Sequence, residues 1–157
     1  MNNKCFILLK PDAILRGLVG EIISRIERTG LMIIKMSTIR PSKQTVEEHY
    51  KHIDPKIVNE IVEYFINTED SGGTALPLIA IVVFGQNAIE VCRKLIGDRN
   101  PIVAAPGTIR GDFSNESFEM RSNMPLTMRA TRNLIHVSDS MESFHREVAI
   151  WFKTSLH

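Results

Sequence analysis

Runs of apolar residues mark the strands of this chain. Residues 5–9 and 77–84 are almost continuously apolar, and residues 31–39 are rich in β-branched and apolar side chains. Such runs predict strands, and an unbroken apolar run is typical of a strand buried on both faces. A shorter run at 133–137 predicts a fourth strand that contains a histidine.

Helical spacing appears between these runs. Apolar residues recur every three or four positions in 18–29 and in 140–152, which predicts amphipathic helices. Ser42 and Pro55 are start signals for helices that end at Tyr50 and Ile66. Asn87 and Glu90 resemble a capping box for a helix that ends near Gly97.

The predicted order is therefore β-α-β-α-α-β-α-loop-β-α. This order indicates an α+β fold with a ferredoxin-like βαββαβ antiparallel sheet covered by helices. No linker or repeat divides residues 1–157, so we predict a single domain. Residues 67–75 and 110–132 predict loops, and the second is long, polar and without a clear period. Long loops of this kind are commonly functional.

Composition excludes several classes of function. The 157 residues carry a net charge of +1, with 43% hydrophobic and 24% charged residues, so nothing indicates a cationic coat for nucleic acid. The uncharged stretch 71–89 contains Gly and Pro and does not read as a membrane span. Two cysteines without ligand spacing favour a reduced compartment. We expect a soluble cytoplasmic protein with no membrane contact.

Common nucleotide and metal motifs are absent from the sequence. It contains neither GxxxxGK[ST] nor GxGxxG after a strand. His49 and His52 are one helical turn apart, but they lack further ligands. A solvated helix face is the favoured interpretation of this pair over a metal site.

Local clustering of cations is the first sign of chemistry. Lys10 ends a strand before a proline, and Arg93, Arg99 and Arg110 lie at a helix end and in the rigid Pro- and Gly-containing loop that follows. Guanidinium groups held in a stiff loop suit bidentate contact with phosphate oxygens.

The histidine of the fourth predicted strand, His136, is the candidate nucleophile. A neutral imidazole nucleophile needs one free nitrogen and an acceptor on the other. Glu147 lies beside the apolar face of the following helix and is the predicted acceptor, with Ser138 at the turn between them. Asp139 is a candidate for binding Mg²⁺ through water. Histidine, carboxylate and phosphate-binding cations together indicate covalent phosphoryl transfer.

Several segments resemble one known family. "NLIHVSDS" at 133–140 resembles the N-x-x-H-x-S-D-S signature of nucleoside diphosphate kinases, and "LLKPDAILRGLVGEII", "EEHY", "NPIVAAPGTIRGDF" and "ESFHREVAIWF" are similar to other family segments in the same order. The resemblance spans nearly all of residues 3–152. It implies a ping-pong kinase that moves the γ-phosphate of a nucleoside triphosphate, such as ATP, to a nucleoside diphosphate through a phosphohistidine.

The resemblance also implies roles for individual residues. His136 would carry the phosphate, with Glu147 and Ser138 orienting its ring and Tyr50 beside it. The sugar and phosphates would be held by Lys10 and Asn133, and the β- and γ-phosphates by Arg93 and Arg110. Mg²⁺ would bridge the phosphates, with Asp139 as an outer contact. Family members assemble into tetramers or hexamers, so a homo-oligomer is expected.

The chain departs from the family pattern at four places. Arg99 replaces a usual Thr, and Ile57 or Val58 stands where a Phe stacks the base. Residues 111–132 form an insertion before the active-site strand, and the sequence stops soon after Trp151 and Phe152. The last departure predicts a smaller or weaker assembly.

Two other functions are weighed against the kinase. A non-catalytic nucleotide-binding or interaction module of the same fold is the alternative; retention of Lys10, Arg93, Arg110, Asn133, His136 and Glu147 disfavours it. Nucleic-acid binding by the sheet would need exposed aromatic residues on the strands, and the strands offer few.

Overall fold

A computed structural model describes residues 3–66 and 75–152. Most of the predicted loop at 67–75 therefore lies outside the described residues. The elements follow in the order β1 Lys4–Leu9, α1 Pro11–Leu15, α2 Val19–Arg28, β2 Met32–Ile39, α3 Lys43–Tyr50, α4 Pro55–Ile66, β3 Leu78–Phe84, α5 Ala88–Ile96, a 3₁₀ turn Pro101–Val103, α6 Ile109–Phe113, α7 Phe118–Ser122, a 3₁₀ turn Leu126–Met128, β4 Ile135–Val137 and α8 Met141–Trp151.

The four strands form one antiparallel sheet in the order β2-β3-β1-β4. This is the strand order of a ferredoxin-like sheet, so the predicted fold class is confirmed. The central strand β1 pairs with β3 along its length and with β4 over three residues, where Leu8 lies opposite His136. The candidate histidine is therefore in the short edge strand beside the centre of the sheet.

Both faces of the sheet are buried, as the unbroken apolar runs predict. Alternate residues of β1 point to opposite cores: Cys5, Ile7 and Leu9 pack with α2 and α5, whereas Phe6 and Leu8 pack with α3, α4 and α8. Because side chains alternate and His136 is opposite Leu8, the histidine faces the layer formed by α3, α4 and α8.

Two local predictions are wrong at the ends of elements. Asn87 makes no side-chain capping bond, because its left-handed backbone (φ 54°) turns it away from capping geometry. The last strand is shorter than 133–137, since Leu134 also has a positive φ, 69°, which ends strand pairing. The Ser42 helix start is confirmed, and Ser140 begins α8 in the same way, each accepting a hydrogen bond from the backbone amide of the third residue after it.

The segment predicted as a loop without a period has structure of its own. It contains α6, α7 and a 3₁₀ turn, and Ser117 caps α7. Glu116 accepts hydrogen bonds from the Arg121 guanidinium and, at 2.9 Å, from the Arg132 amide, which closes the segment on itself. Within the described residues, no helix is long and apolar enough to cross a bilayer.

Candidate active site

A hydrogen-bonded chain of three side chains joins β4 to α8. His136 Nε2 lies 2.8 Å from Glu147 Oε1, and the Ser138 hydroxyl donates to Glu147 Oε2 at 2.6 Å. The Ser138 oxygen in turn accepts from the Phe6 amide of β1 at 3.2 Å. Glu147 and Ser138 are buried, whereas the His136 side chain is 25% exposed.

This chain determines which nitrogen of His136 is available. The Ser138 hydroxyl donates to Glu147 because an ionised carboxylate can only accept, and this contact is shorter than that to the Phe6 carbonyl at 3.4 Å. A carboxylate accepts only, so the His136 proton lies on Nε2, between the ring and Glu147. His136 Nδ1 keeps its lone pair, and the half-exposed ring presents a nitrogen nucleophile with a fixed carboxylate behind it.

Lys10 and Asn133 meet at the carboxyl end of β1. Lys10 Nζ donates to Asn133 Oδ1 at 2.7 Å, and Asn133 Nδ2 donates to the Arg99 carbonyl at 2.9 Å. The Lys10 backbone amide also donates to the Leu134 carbonyl. Lys10, Arg99 and Asn133, which are more than 30 positions apart in sequence, thus meet at one end of the sheet. Asn133 is three positions before His136.

Arg110 is buried and tied to backbone carbonyls on three sides. Its Nε donates to Asn133, its Nη1 to Gly97 and its Nη2 to Ile135, at 3.1, 3.1 and 2.6 Å. Three of its five N–H groups are used, which leaves one on each terminal nitrogen. Burial, and then repulsion from Arg93 and Arg99, lower the pKa of Arg110 to about 10, so it stays cationic at neutral pH.

Lys10 titrates far below an ordinary lysine. Burial lowers the pKa of its ammonium to about 8, and repulsion from Arg110 and Arg99 adds to this, while Asp12 opposes it. Mutual repulsion among these cations shows that they share one region. A polyanion entering that region would relieve the repulsion.

Three of the predicted residues, Arg93, Arg99 and Asp139, are exposed. Arg93 lies on α5, and Arg99 places its guanidinium 5.5 Å from the centre of the Phe118 ring in α7. Asp139 accepts a hydrogen bond from Ser143 at 2.6 Å; that bond, with the charge of Arg93 as a smaller contribution, lowers the pKa of the Asp139 carboxyl. Among the described residues, Arg93 makes no hydrogen bond to His136, Ser138 or Glu147, so it is related to the site through its charge.

Two neighbouring residues of α3 pack against His136. The Tyr50 ring centre is 6.3 Å from that of His136, and burial raises the pKa of the Tyr50 phenol. Its hydroxyl is buried without a hydrogen-bond partner among the described residues. His49 is closer, with ring centres 4.6 Å apart. The predicted solvated face at His49 and His52 is wrong for His49, which is 1% exposed because α8 covers it.

Comparisons with known proteins agree on one family. The family model described as nucleoside diphosphate kinase matches residues 3–156. The chain belongs to the nucleoside diphosphate kinase family. A curated nucleoside diphosphate kinase of Staphylococcus epidermidis is 41% identical over 98% of this chain and 89% of that protein, and one of Archaeoglobus fulgidus is 39% identical over 96% and 86%.

Solved nucleoside diphosphate kinases have the same fold. A transition-state mimic from Borrelia burgdorferi with bound vanadate and ADP superposes with a TM-score of 0.84 at 32% identity, covering 97% of this chain and 88% of that one. A Halobacterium salinarum enzyme in complex with CDP gives 0.74 at 33% identity, with 95% and 86% covered. The chain is therefore a phosphotransferase that acts on nucleoside tri- and diphosphates, a reaction for which a divalent cation is expected.

One group in this nucleoside diphosphate kinase has the composition of a metal site. His49, His136 and Glu147 each bring a ligand atom within 4.8 Å of the others. Trp151 Nε1 donates to His49 Nδ1 at 2.9 Å, however, which places the proton of neutral His49 on Nε2. A metal on Nε2 would force a second N–H against that of Trp151, so the trio does not fit a metal ion.

Asp12 of the nucleoside diphosphate kinase "KPD" segment also bears on the site, although we predicted no role for it. Its buried carboxylate accepts from the Leu134 amide and from the Tyr64 hydroxyl, both at 2.9 Å. It thereby holds the left-handed turn that places Asn133 beside Lys10. Burial raises the pKa of the Asp12 carboxyl. An acidic residue three positions after an apolar strand was the available signal in the sequence.

Proposed function

We propose that His136 carries the phosphate of a nucleoside diphosphate kinase reaction. His136 Nδ1 attacks the γ-phosphorus of a nucleoside triphosphate, the N–P bond forms, and the bond to the β-phosphate oxygen breaks as the diphosphate leaves. A terminal phosphate oxygen of a second diphosphate then attacks the phosphohistidine and regenerates the imidazole. Donor and acceptor use the same site in turn, which makes the mechanism ping-pong.

The observation that carries this proposal is the chain from His136 to Glu147 and Ser138. When Nδ1 bonds to phosphorus, the ring becomes cationic, and the proton on Nε2 stays in place. Glu147 stabilises that charge without moving, since Ser138 fixes its other oxygen. Glu147 and Ser138 are thus orienting groups, and Tyr50 stands beside the ring with a buried hydroxyl that has no hydrogen-bond partner in the part of the chain that the structure describes.

We propose that the cations near the carboxyl end of β1 bind the phosphates and the sugar. Lys10 and Asn133, already hydrogen-bonded to each other, contact the sugar hydroxyl and adjacent phosphates. Arg110, through its two remaining N–H groups, and the exposed Arg93 hold the β- and γ-phosphates, and Arg99 adds a phosphate contact from a second exposed position. Because these groups recognise phosphates and sugar, the site tolerates different bases.

We propose Mg²⁺ as the divalent cation. Among the residues proposed for the site, Asp139 is the carboxylate available to this ion, and most of the others are cations. Asp139 is exposed, and its hydrogen bond from Ser143 favours the ionised form. That donor set fits an ion that keeps most of its ligands as water and substrate phosphate oxygens, as Mg²⁺ does. Asp139 would hold it through water, and the bound ion would neutralise phosphate charge.

Assembly, domain organisation and compartment are further proposals. Edge strand β2 exposes Met32, Ile34 and Met36, which supports a homo-oligomer, a tetramer, hexamer or smaller. We propose one domain over 1–157 with an insertion at about 111–132. The insertion reaches α4 through Arg129 and Glu60, 4.0 Å apart, near exposed Ile57. The cytoplasm, where nucleotides are abundant, is the proposed compartment.

An isotope-exchange assay tests the role of His136. A ping-pong enzyme exchanges labelled ADP into ATP with no other acceptor, because the phosphoenzyme forms and reverses on its own. We expect exchange in the wild type and none in His136→Ala. His145→Ala removes an exposed histidine of α8 and serves as the matched control. Exchange that survives in His136→Ala would assign the phosphate to another residue.

A further inference from the structure

His49 occupies an enclosed position against the active-site histidine. It is 1% exposed, and its ring makes edge contacts with Tyr50, His136 and Trp151, with ring centres 4.3, 4.6 and 5.5 Å away. The planes of His49 and His136 cross at 81°. Among residues 3–66 and 75–152, His49 is the aromatic neighbour nearest to the His136 ring, so it limits how that ring can rotate.

Trp151 fixes the protonation of His49. An indole N–H can only donate, so His49 Nδ1 accepts the 2.9 Å bond and carries no proton. The neutral ring therefore has its proton on Nε2. Burial, and then the positive charge of its neighbours, hold the pKa of His49 well below its usual range. The two effects agree: His49 is neutral, in one tautomer.

The buried Nε2–H group of His49 lowers the stability of the fold, and packing alone does not explain why it is present. It is buried and has no hydrogen-bond partner among the described residues. A buried unpaired donor destabilises a fold, and a phenylalanine would fill the same space without one. Phenylalanine would, however, leave the indole N–H of Trp151 unpaired. Paired with Trp151, His49 places a planar ring beside His136, and that His49 ring is kept neutral.

We propose that His49 is a positioning residue for phosphoryl transfer to His136, locked by Trp151 as a neutral ring that orients His136 and adds no positive charge beside it. This inference rests on the proposed role of His136. The phosphohistidine ring is cationic, so a second cation in contact with it would oppose its formation. Glu147 attracts that charge, and a neutral His49 does not oppose it.

Charged groups from several elements surround His49, and they determine whether it becomes protonated when the hydrogen bond from Trp151 is removed. His136 lies on β4, Arg146 and Glu147 on α8, Lys10 after β1, and His52 after α3. Most of these groups are cationic or become so on protonation, and they disfavour a charged His49. Loss of the indole N–H nevertheless frees His49 Nδ1 to take a proton from water as the pH falls.

The test compares pH profiles of three proteins. The rate of His136 phosphorylation by ATP is measured in a single turnover at pH values of about 5.5 and 8.5, for the wild type, Trp151→Phe and the double variant Trp151→Phe/His49→Phe. In Trp151→Phe the indole N–H no longer blocks His49 Nδ1, so His49 can take up a proton as the pH falls, although burial and its cationic neighbours still lower its pKa. We expect the rate of that variant, relative to wild type, to be severalfold lower at the lower pH and within about twofold of it at the higher pH.

The double variant separates charge from packing. It has no ionisable ring at position 49, so its rate relative to wild type is the same at both pH values. A Trp151→Phe profile parallel to that of the wild type would overturn the role of His49 while leaving the proposed function intact. A wild type that takes up no phosphate would overturn the proposed function and this role with it.

A second measurement needs no activity and no variant. Nitrogen-15 NMR of the histidine rings of the wild-type protein reports the protonation of each nitrogen. We expect His49 to remain neutral, with its proton on Nε2, across the same pH range. A protonated Nδ1 at either pH would contradict the locked tautomer, whatever the kinetics show.

Discussion

Replacing Glu147 with glutamine removes the negative charge behind His136 and keeps the shape of the side chain. The glutamine carbonyl can still accept from His136 Nε2–H, so the tautomer is kept. Ser138 loses an acceptor, but its hydroxyl lies 3.4 Å from the Phe6 carbonyl and can turn toward it. The fold should therefore survive, and the lost interaction is the attraction between the carboxylate and the cationic ring.

The size of that attraction follows from the 2.8 Å contact. Two unit charges at this distance attract by roughly 6 kcal/mol at an effective dielectric constant of about 20. The His136 side chain is 25% exposed, so water screens part of this attraction. Hydrogen bonds to charged groups retain roughly 1.5–3 kcal/mol. At about 1.4 kcal/mol per factor of ten, phosphorylation of His136 should slow by roughly 10- to 140-fold.

The assay is the single-turnover rate of phosphoenzyme formation from ATP, with the thermal midpoint as a check on folding. Glu142→Gln removes an exposed carboxylate from the first turn of the same helix and should retain the wild-type rate. A folded Glu147→Gln variant that is phosphorylated at the wild-type rate would refute the stabilising role of Glu147.

Three further predictions concern Lys10, Asp12 and Gly111. As pH rises through about 8, Lys10 loses its charge, so kcat/KM for an anionic nucleotide should fall; a flat profile to a pH of about 9.5 would contradict the assignment. Asp12→Asn leaves one of two buried donors unpaired and should lower the free energy of unfolding by about 1–3 kcal/mol in urea titrations. Gly111→Ala would push a methyl group into a backbone carbonyl and should lower the thermal midpoint, whereas Gly20→Ala, with open space around it, should not. Equal midpoints for the two alanine variants would argue against that collision.

Strands and helices were predictable where burial alone decides them. The apolar runs of β1 and β3 predict strands with two buried faces, and both faces are covered by helices. The ends of elements were less predictable, because distant contacts decide them. "NLIHV" has the composition of a strand throughout, yet Leu134 turns left-handed where the Asp12 carboxylate and the Lys10 amide hold it.

The sequence was enough to identify which residues form the candidate site, but less so to predict which partners they contact. His136 and Glu147 are 11 residues apart, and the apolar stripe of α8 was enough to predict that Glu147 points toward His136. His49 has its partner Trp151 102 positions further along, so a local pattern at 49 and 52 favours the wrong, solvated interpretation. Arg110 was predicted only as a phosphate ligand, since sequence carries no sign of the three carbonyls that it binds.

Intact-protein mass after mixing with ATP and Mg²⁺, and again after excess GDP, tests the phosphohistidine most directly. We expect one acid-labile phosphoryl group per chain, absent in His136→Ala and passed to GDP as GTP. A chain that turns over nucleotides without acquiring this mass, or that keeps it in His136→Ala, would contradict a phosphohistidine at position 136.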